Sequence, residues 1–406
     1  MGPPGCPRER EENGRIQSVD VLRGFALLGI LLVNAPVLAG VHGVGDGPQT
    51  AGDRIAVWLV TVLAQSKFYL LFSFLFGYSF TQQVRAAERE GAAFTPRYCR
   101  RLLGLFLIGV GHAILLYPGD ILTTYAVLGL VLPAFRRADA RTVLRVAAML
   151  LIWLTLVFLV IGLIMLGAPR DAGFVPAAAA PYTGGPADVV TANLQAALAA
   201  AKSSPLYMGH LLAAFLAGVA AGKKEILTRA EAHVGQLRRI AVAGTLVGLP
   251  GSLVMALCEL GPWEGRFTYL GRAVAILTAP ALTAAYAGAV LLFLMTGRRP
   301  RLRRALASAG RLALTNYLVQ SAILAWVFTG YGLVLYGRVG PAPLALGCLL
   351  LFILQVSLST VVVSSGRRGP AELLLRRIIT AGRGRGHRSA AEWSGDVCPG
   401  CCPGRR

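Results

Sequence analysis

Apolar residues that come in uninterrupted runs of about twenty leave a chain few places to fold other than a lipid bilayer. The hydrocarbon core is roughly 30 Å thick and a helix rises about 1.5 Å per residue, so a spanning helix needs about 20 mostly apolar residues. Ten stretches approach that length: residues 19–39, 57–80, 102–117, 121–135, 143–167, 206–221, 240–260, 270–295, 312–331 and 343–364. Only 15% of the 406 residues are charged, against about 25% in an ordinary globular chain. The expected fold is therefore all-α, a polytopic membrane bundle of about ten transmembrane helices. The runs 102–117 and 121–135 are short for full spans, and Tyr117-Pro118-Gly119 between them predicts a tight hairpin.

The positive charges orient the bundle, because cytoplasmic loops hold most Lys and Arg. With the N-terminus placed inside, 32 of the 40 Lys and Arg fall on inside segments and 6 on outside ones. Arg23 and Lys67 remain within helices. A miscounted helix would scramble that separation, so both termini are expected in the cytoplasm. The formal charge of +21 is then mainly an orientation signal. Nucleic acid is not an expected partner, since the charges are spread over many short loops without an aromatic stacking platform. A basic collar could instead attract anionic lipid or a phosphorylated cofactor, at about 1 kcal/mol per residue near the surface.

Three regions follow. Residues 1–18 form a cytoplasmic N-terminal tail. Residues 19–381 form the transmembrane domain, with an external loop at 168–205 in which Asp188 to Ala201 predicts a short surface helix. Residues 382–406 form a basic, Gly- and Arg-rich tail expected to be disordered. The first run is expected to remain uncleaved, because Asp20 and Arg23 sit where a signal peptide's apolar core would begin. Cys398, Cys401 and Cys402 lack a second ligand pair, so no metal site is predicted.

Ionisable groups inside a bilayer are costly and tend to face the bundle interior, which makes each a candidate for function. At about 100° per residue, Asp20, Arg23 and Asn34 share one face of the first helix. They would serve as a binding group, or as an ion pair with one interhelical hydrogen bond. Lys67, near the middle of the second run, would be a counter-charge for an anionic ligand or a buried carboxylate. His112 and Asp120 lie near the outer hairpin. Imidazole titrates near neutral pH and suits proton transfer, and a carboxylate can fix its tautomer. Asp120 is equally well placed to cap the next helix. Asn316 and Gln320 share a face of the ninth run and would bind ligand or hold helices together. Glu372 begins an amphipathic segment with a surface role. Pro36, Pro250 and Pro280 are expected to break their helices.

Five stretches carry a family resemblance: 15–34 (RIQSVDVLRGFALLGILLVN), 67–77 (KFYLLFSFLFG), 111–130 (GHAILLYPGDILTTYAVLGL), 310–320 (GRLALTNYLVQ) and 369–380 (GPAELLLRRIIT). Together they resemble the YeiB-like family, multi-pass bacterial membrane proteins classed as a domain of unknown function. The last stretch departs from the family's pattern, with Leu373 and Leu375 where tryptophans are usual. The resemblance implies a bacterial plasma-membrane location and contact with membrane lipids, and leaves the oligomeric state open.

The family is in turn similar to transmembrane acyltransferases, which carry acyl groups from a cytoplasmic donor across the membrane. In one branch an arginine on the first helix is followed, after ten intervening residues, by a histidine taken as catalytic. Arg23 matches, and that spacing lands on Asn34. A branch resembling the lysosomal heparan acetyltransferase has asparagine there and a histidine soon after, for which His42 is the nearest counterpart at a different spacing. The resemblance thus implies an enzyme using acyl-coenzyme A as donor and modifying an envelope glycan, lipid or small molecule. His112 would act with Asp120 as the catalytic pair, with Arg23 and Lys67 meeting donor phosphates. His112 lies toward the outside and Arg23 toward the inside, so the donor would have to reach through the bundle. The competing expectation is a transporter or exporter of a lipid or small metabolite.

Overall fold

A computed structural model describes residues 7–41, 50–91, 93–167, 180–228, 230–261, 263 and 265–380. His42, residues 168–179 of the external loop and the cysteine-bearing tail lie outside them. The described residues form α1 (Pro7–Leu38), α2 (Ala51–Leu63), α3 (Lys67–Arg89), α4 (Phe94–Leu115), α5 (Leu122–Gly129), α6 (Ala140–Leu166) and α7 (Ala180–Thr183). They continue with α8 (Pro186–Lys223), α9 (Val234–Leu260), α10 (Thr268–Met295), α11 (Pro300–Arg311), α12 (Ala313–Phe328), α13 (Pro341–Ser364) and α14 (Pro370–Thr380). No strand occurs among the described residues.

Eight segments are long and apolar enough to cross a membrane, and the protein is a multi-pass helical membrane protein. Two apolar runs are shorter: α12, which continues from α11 across a break at Leu312, and α5, followed by a 3-10 turn at Leu132–Phe135.

The bundle has two distinct ends. At the basic end Arg85 pairs with Glu225, Arg136 with Glu88, and Lys223 donates to the Arg136 carbonyl. These contacts gather loops that the charge pattern assigns to one side. At the other end Tyr182 stacks on Tyr336, Arg266 donates to Leu166 O, and Asp53 ties α2 to the start of α13 through Ala342 N–H.

Lipid tails supply no hydrophobic drive between helices, so packing depends on close backbone approach at small residues. Gly24 and Gly310 let α1 cross α11 so closely that a Cβ at Gly310 would lie 1.8 Å from Asp20 O. Gly77 and Gly218 do the same for α3 and α8.

The structure departs from the expected pattern in three places. The second apolar run is not one helix. It breaks at Ala64–Ser66, with Ser66 at φ +71°, and Lys67 begins α3 instead of sitting mid-helix. Backbone groups freed inside a bilayer must be satisfied by protein. Here Tyr286 OH donates to Leu63 O (2.9 Å) and Lys67 Nζ to Thr61 O (3.3 Å). Pro36, Pro250 and Pro280 lie inside α1, α9 and α10 without ending them. The short surface helix at 188–201 is the first part of α8, which runs unbroken from Pro186 to Lys223.

Candidate functional site

An internal cavity of about 190 Å³ opens among α1, α3, α4, α5, α11, α12 and α14. Arg23, Arg101 and Arg311 line its basic end. Asp20 holds two of them, accepting from Arg23 Nη1 at 3.2 Å and from Arg311 Nε at 3.3 Å. Arg23 Nη2 also donates to Ser79 Oγ at 2.5 Å. Arg101 is half-buried with its guanidinium 5.5 Å from the Phe76 ring centre, and has no carboxylate or hydrogen-bond partner among the described residues. Beyond the arginines the wall is apolar, with Leu27, Ile30, Leu75 and Leu122, and it ends at Tyr317.

Against Tyr317 sits the predicted histidine. The ring centres of His112 and Tyr317 are 4.8 Å apart, and His112 is 3% exposed. His112 Nδ1 lies 2.9 Å from Asp120 Oδ1. A carboxylate can only accept, so Nδ1 is the donor, and in the neutral ring Nε2 is the nitrogen that can accept. That Nε2 is buried without a hydrogen-bond partner, as is the Tyr317 hydroxyl. The other oxygen of Asp120 accepts from Thr123 N–H at 2.7 Å, so one carboxylate caps the start of α5 and orients the imidazole together.

α1 and α4 build this arrangement in parallel. On α4, Arg101, Leu105, Ile108 and His112 follow one another at helical spacing, which puts them on one face. On α1, Arg23, Leu27, Ile30 and Asn34 repeat the same offsets. Each helix thus carries an arginine at the basic end and a polar group about 16 Å further along its axis. Asn34 meets the deep end through Tyr117, whose hydroxyl lies 3.4 Å from Asn34 Oδ1 and whose ring is 6.2 Å from His112.

Three candidates lie elsewhere. Lys67, at 0% exposure, belongs to the α2–α3 break and does not line the cavity. Asn316 and Gln320 face α13. Gln320 donates to Gln355 Oε1 (2.8 Å), Gln355 to Asn316 O (3.1 Å), and Asn316 to Ser359 Oγ (2.9 Å) and Ala309 O (3.1 Å). This ladder joins α11, α12 and α13. Asn316→Ala is expected to destabilise the bundle by about 0.6–2 kcal/mol, measured as reversible unfolding in bicelles, with the cavity's ligand affinity unchanged.

Arg101, Arg311, Tyr317 and Glu372 escape a reading based on charges within apolar runs. Arg101 and Arg311 count there as loop charges, although Arg101 stands in the second turn of α4. The offset from Arg101 to His112 is the signal that would have found it.

Comparison with known proteins relates the chain to a family of unknown function. Residues 221–382 match the family described as "Protein of unknown function (DUF418)". Over 388 residues the chain is 30% identical to "Uncharacterized protein YxaH" of Bacillus subtilis (strain 168), covering 90% of this chain and 94% of that protein. It is 26% identical over 390 residues to "Uncharacterized protein YeiB" of Escherichia coli (strain K12), covering 90% and 97%. It is also 28% identical over 368 residues to an "Uncharacterized 39.9 kDa protein in amylase 3'region" of Bacillus acidopullulyticus, covering 89% and 93%. The chain belongs to the DUF418, YeiB-like family of multi-pass helical membrane proteins.

Proposed function

We propose that this protein is an acyltransferase of the bacterial plasma membrane, taking an acyl group from a cytoplasmic thioester such as acyl-coenzyme A to a hydroxyl of an envelope glycan, lipid or small molecule. The observation that carries the reading is the His112–Asp120 pair, whose unpartnered Nε2 is buried behind Tyr317, the residue at one end of a cavity whose other end holds three arginines. In this mechanism the acceptor hydroxyl gives its proton to His112 Nε2 while its oxygen attacks the thioester carbonyl carbon. The C–S bond breaks, the thiolate takes the proton back from the imidazolium, and an ester and a thiol leave. Asp120 keeps the ring in the receiving tautomer, and Arg23 and Arg101 meet the donor's negative charge. The apolar wall runs from the arginines to Tyr317, against which His112 packs, so a donor lying along it would bring its acyl end toward the histidine. The arginine-to-histidine spacing that fails on the first helix, where Asn34 stands, recurs on α4 as Arg101 and His112.

The test compares envelope lipids, glycans and secreted metabolites by mass spectrometry in deletion and complemented strains. An acyl-mass difference restored by the wild type but not by a His112 variant supports the reading. An identical acyl inventory in all strains overturns it.

One observation favours transport as a second reading. Transporter sites often use helices interrupted within the membrane, and α2–α3 is interrupted beside the fully buried Lys67. In that case Lys67→Met is expected to abolish substrate flux into sealed vesicles without any covalent change in the solute. Unchanged flux in the variant would remove this reading.

A further inference from the structure

We infer that the basic end of the cavity is a phosphate-binding subsite whose place Glu372 holds in the ligand-free protein, so that a phosphate ester with an apolar tail enters by displacing α14. This rests on the cavity described under the proposed function, but not on the transfer chemistry.

The break at Leu312 leaves the first N–H groups of α12 without helical partners. They point toward the arginine-lined space, and a carboxylate fills the position. Glu372 Oε1 accepts from Leu314 N–H (2.9 Å) and Thr315 N–H (3.1 Å), and Oε2 from Thr315 Oγ (2.5 Å). Hydroxyl and N–H groups at a helix start, with arginines nearby, are the donors that bind phosphate. Charge favours the exchange. Among the cavity's lining residues, Arg23, Arg101 and Arg311 stand against Glu372 alone, and Asp20 behind them pairs with only Arg23 and Arg311. Replacing Glu372 by a phosphate adds negative charge to a cavity in which Arg101 has no carboxylate. An independent observation points to an occupant of the same space: Arg101, half-buried in the cavity wall, has neither a carboxylate nor a hydrogen-bond partner among the described residues.

α14 is attached in a way that allows release. Besides Glu372 it rests through Leu375 and Ile378 on Gly104 of α4, where a Cβ would lie 2.7 Å from Leu375 Cδ1. Leu373 and Leu374 are exposed, and Gly366, at φ +69°, sits in the turn before the helix. Leu375 and Glu372 both line the cavity, so removing α14 uncovers the arginines and the apolar wall in one step.

The experiment uses the full chain in phosphatidylcholine nanodiscs with two probes, phosphatidylglycerol doped into the disc and palmitoyl-coenzyme A added in solution. Glu372→Gln keeps a carbonyl acceptor for α12 but removes the competing charge. It is expected to bind one probe about tenfold more tightly, the factor by which a tenfold-favoured closed state weakens apparent affinity. The probe that responds identifies a lipid or a soluble ester as the source. Arg101→Ala is expected to lose that binding. The double variant Gly104→Cys, Leu375→Cys ties α14 to α4 when oxidised; binding should vanish and return on reduction. A Glu372→Gln protein that melts earlier with unchanged affinity, tight binding in the oxidised double variant, or no binding of either probe to Glu372→Gln would each overturn the inference. Binding as described together with an acyl inventory identical in deletion and complemented strains overturns the transfer reading and leaves the subsite standing.

Discussion

Replacing His112 with alanine is expected to lower acyl transfer by about 10²–10⁴-fold, the usual contribution of a positioned acid–base group, while donor binding and folding persist. The geometry explains why the loss should be so selective. His112 does not line the wall that would hold the donor; it stands behind Tyr317, with Nδ1 on Asp120 and Nε2 free. Its removal leaves Asp120 still accepting from Thr123 N–H at 2.7 Å; the lost partner costs about 1–3 kcal/mol, and the emptied ring site adds a cavity cost to that. Asp120→Asn separates positioning from charge. The amide can donate to Nδ1, which moves the ring proton to Nε2 and leaves nothing to accept the hydroxyl's proton. A comparable loss of turnover with an unchanged melting temperature is the expected signature. Turnover is read as ester formation by mass spectrometry, and donor affinity by titration in nanodiscs. Wild-type transfer by His112→Ala would eliminate the dyad from the mechanism.

Much of the architecture was legible because membrane insertion imposes two simple codes, run length and loop charge. The two charge-separated ends are joined by the contacts those codes require, such as Arg136 with Glu88 at one end and Asp53 with Ala342 N–H at the other. Helix breaks were not legible. The chain turns at Ala64–Ser66, where neither Gly nor Pro stands, yet α9 and α10 continue past Pro250 and Pro280. The reason is tertiary: Tyr286 OH and Lys67 Nζ from outside α2 satisfy the carbonyls that the turn frees, and no local pattern encodes that.

The site shows the same division. His112 and Asp120 stood out as polar groups within an apolar stretch, and they meet. Asn316 and Gln320 stood out equally, but their partners Gln355 and Ser359 lie on α13, too distant in sequence to be anticipated. Arg101 was hidden by its neighbours Arg97 and Arg100, since a cluster of arginines at a helix start reads as a loop. Glu372 was visible only as a surface charge, because its partners are backbone N–H groups of another helix.

Gly310→Val is expected to affect the protein more than any substitution of a cavity side chain, through both folding and binding. A Cβ at Gly310 falls 1.8 Å from Asp20 O, and one at Gly24 falls 2.1 Å from Leu306 O. Both obstacles are backbone atoms, so no rotamer change relieves the clash, and α1 and α11 must move apart. Overpacking a tight contact costs about 1–3 kcal/mol, occasionally more. In a bilayer that loss is not offset by burial elsewhere, because association there rests on packing. The displaced backbone is that of Asp20, the residue that bridges Arg23 at 3.2 Å and Arg311 at 3.3 Å. Separating the helices therefore frees both arginines and widens the basic end of the cavity. The expected result is a sharply lower folded yield in fluorescence-detected size exclusion and no measurable ligand affinity in what remains. Gly310→Ala should show the same defects more weakly. Gly347→Val on α13, where a Cβ meets nothing within 4 Å, should leave yield and binding at wild-type levels. Equal tolerance of Val at Gly310 and Gly347 would mean that α1 and α11 do not cross at these glycines, and the arginine geometry built on that crossing would fall with it.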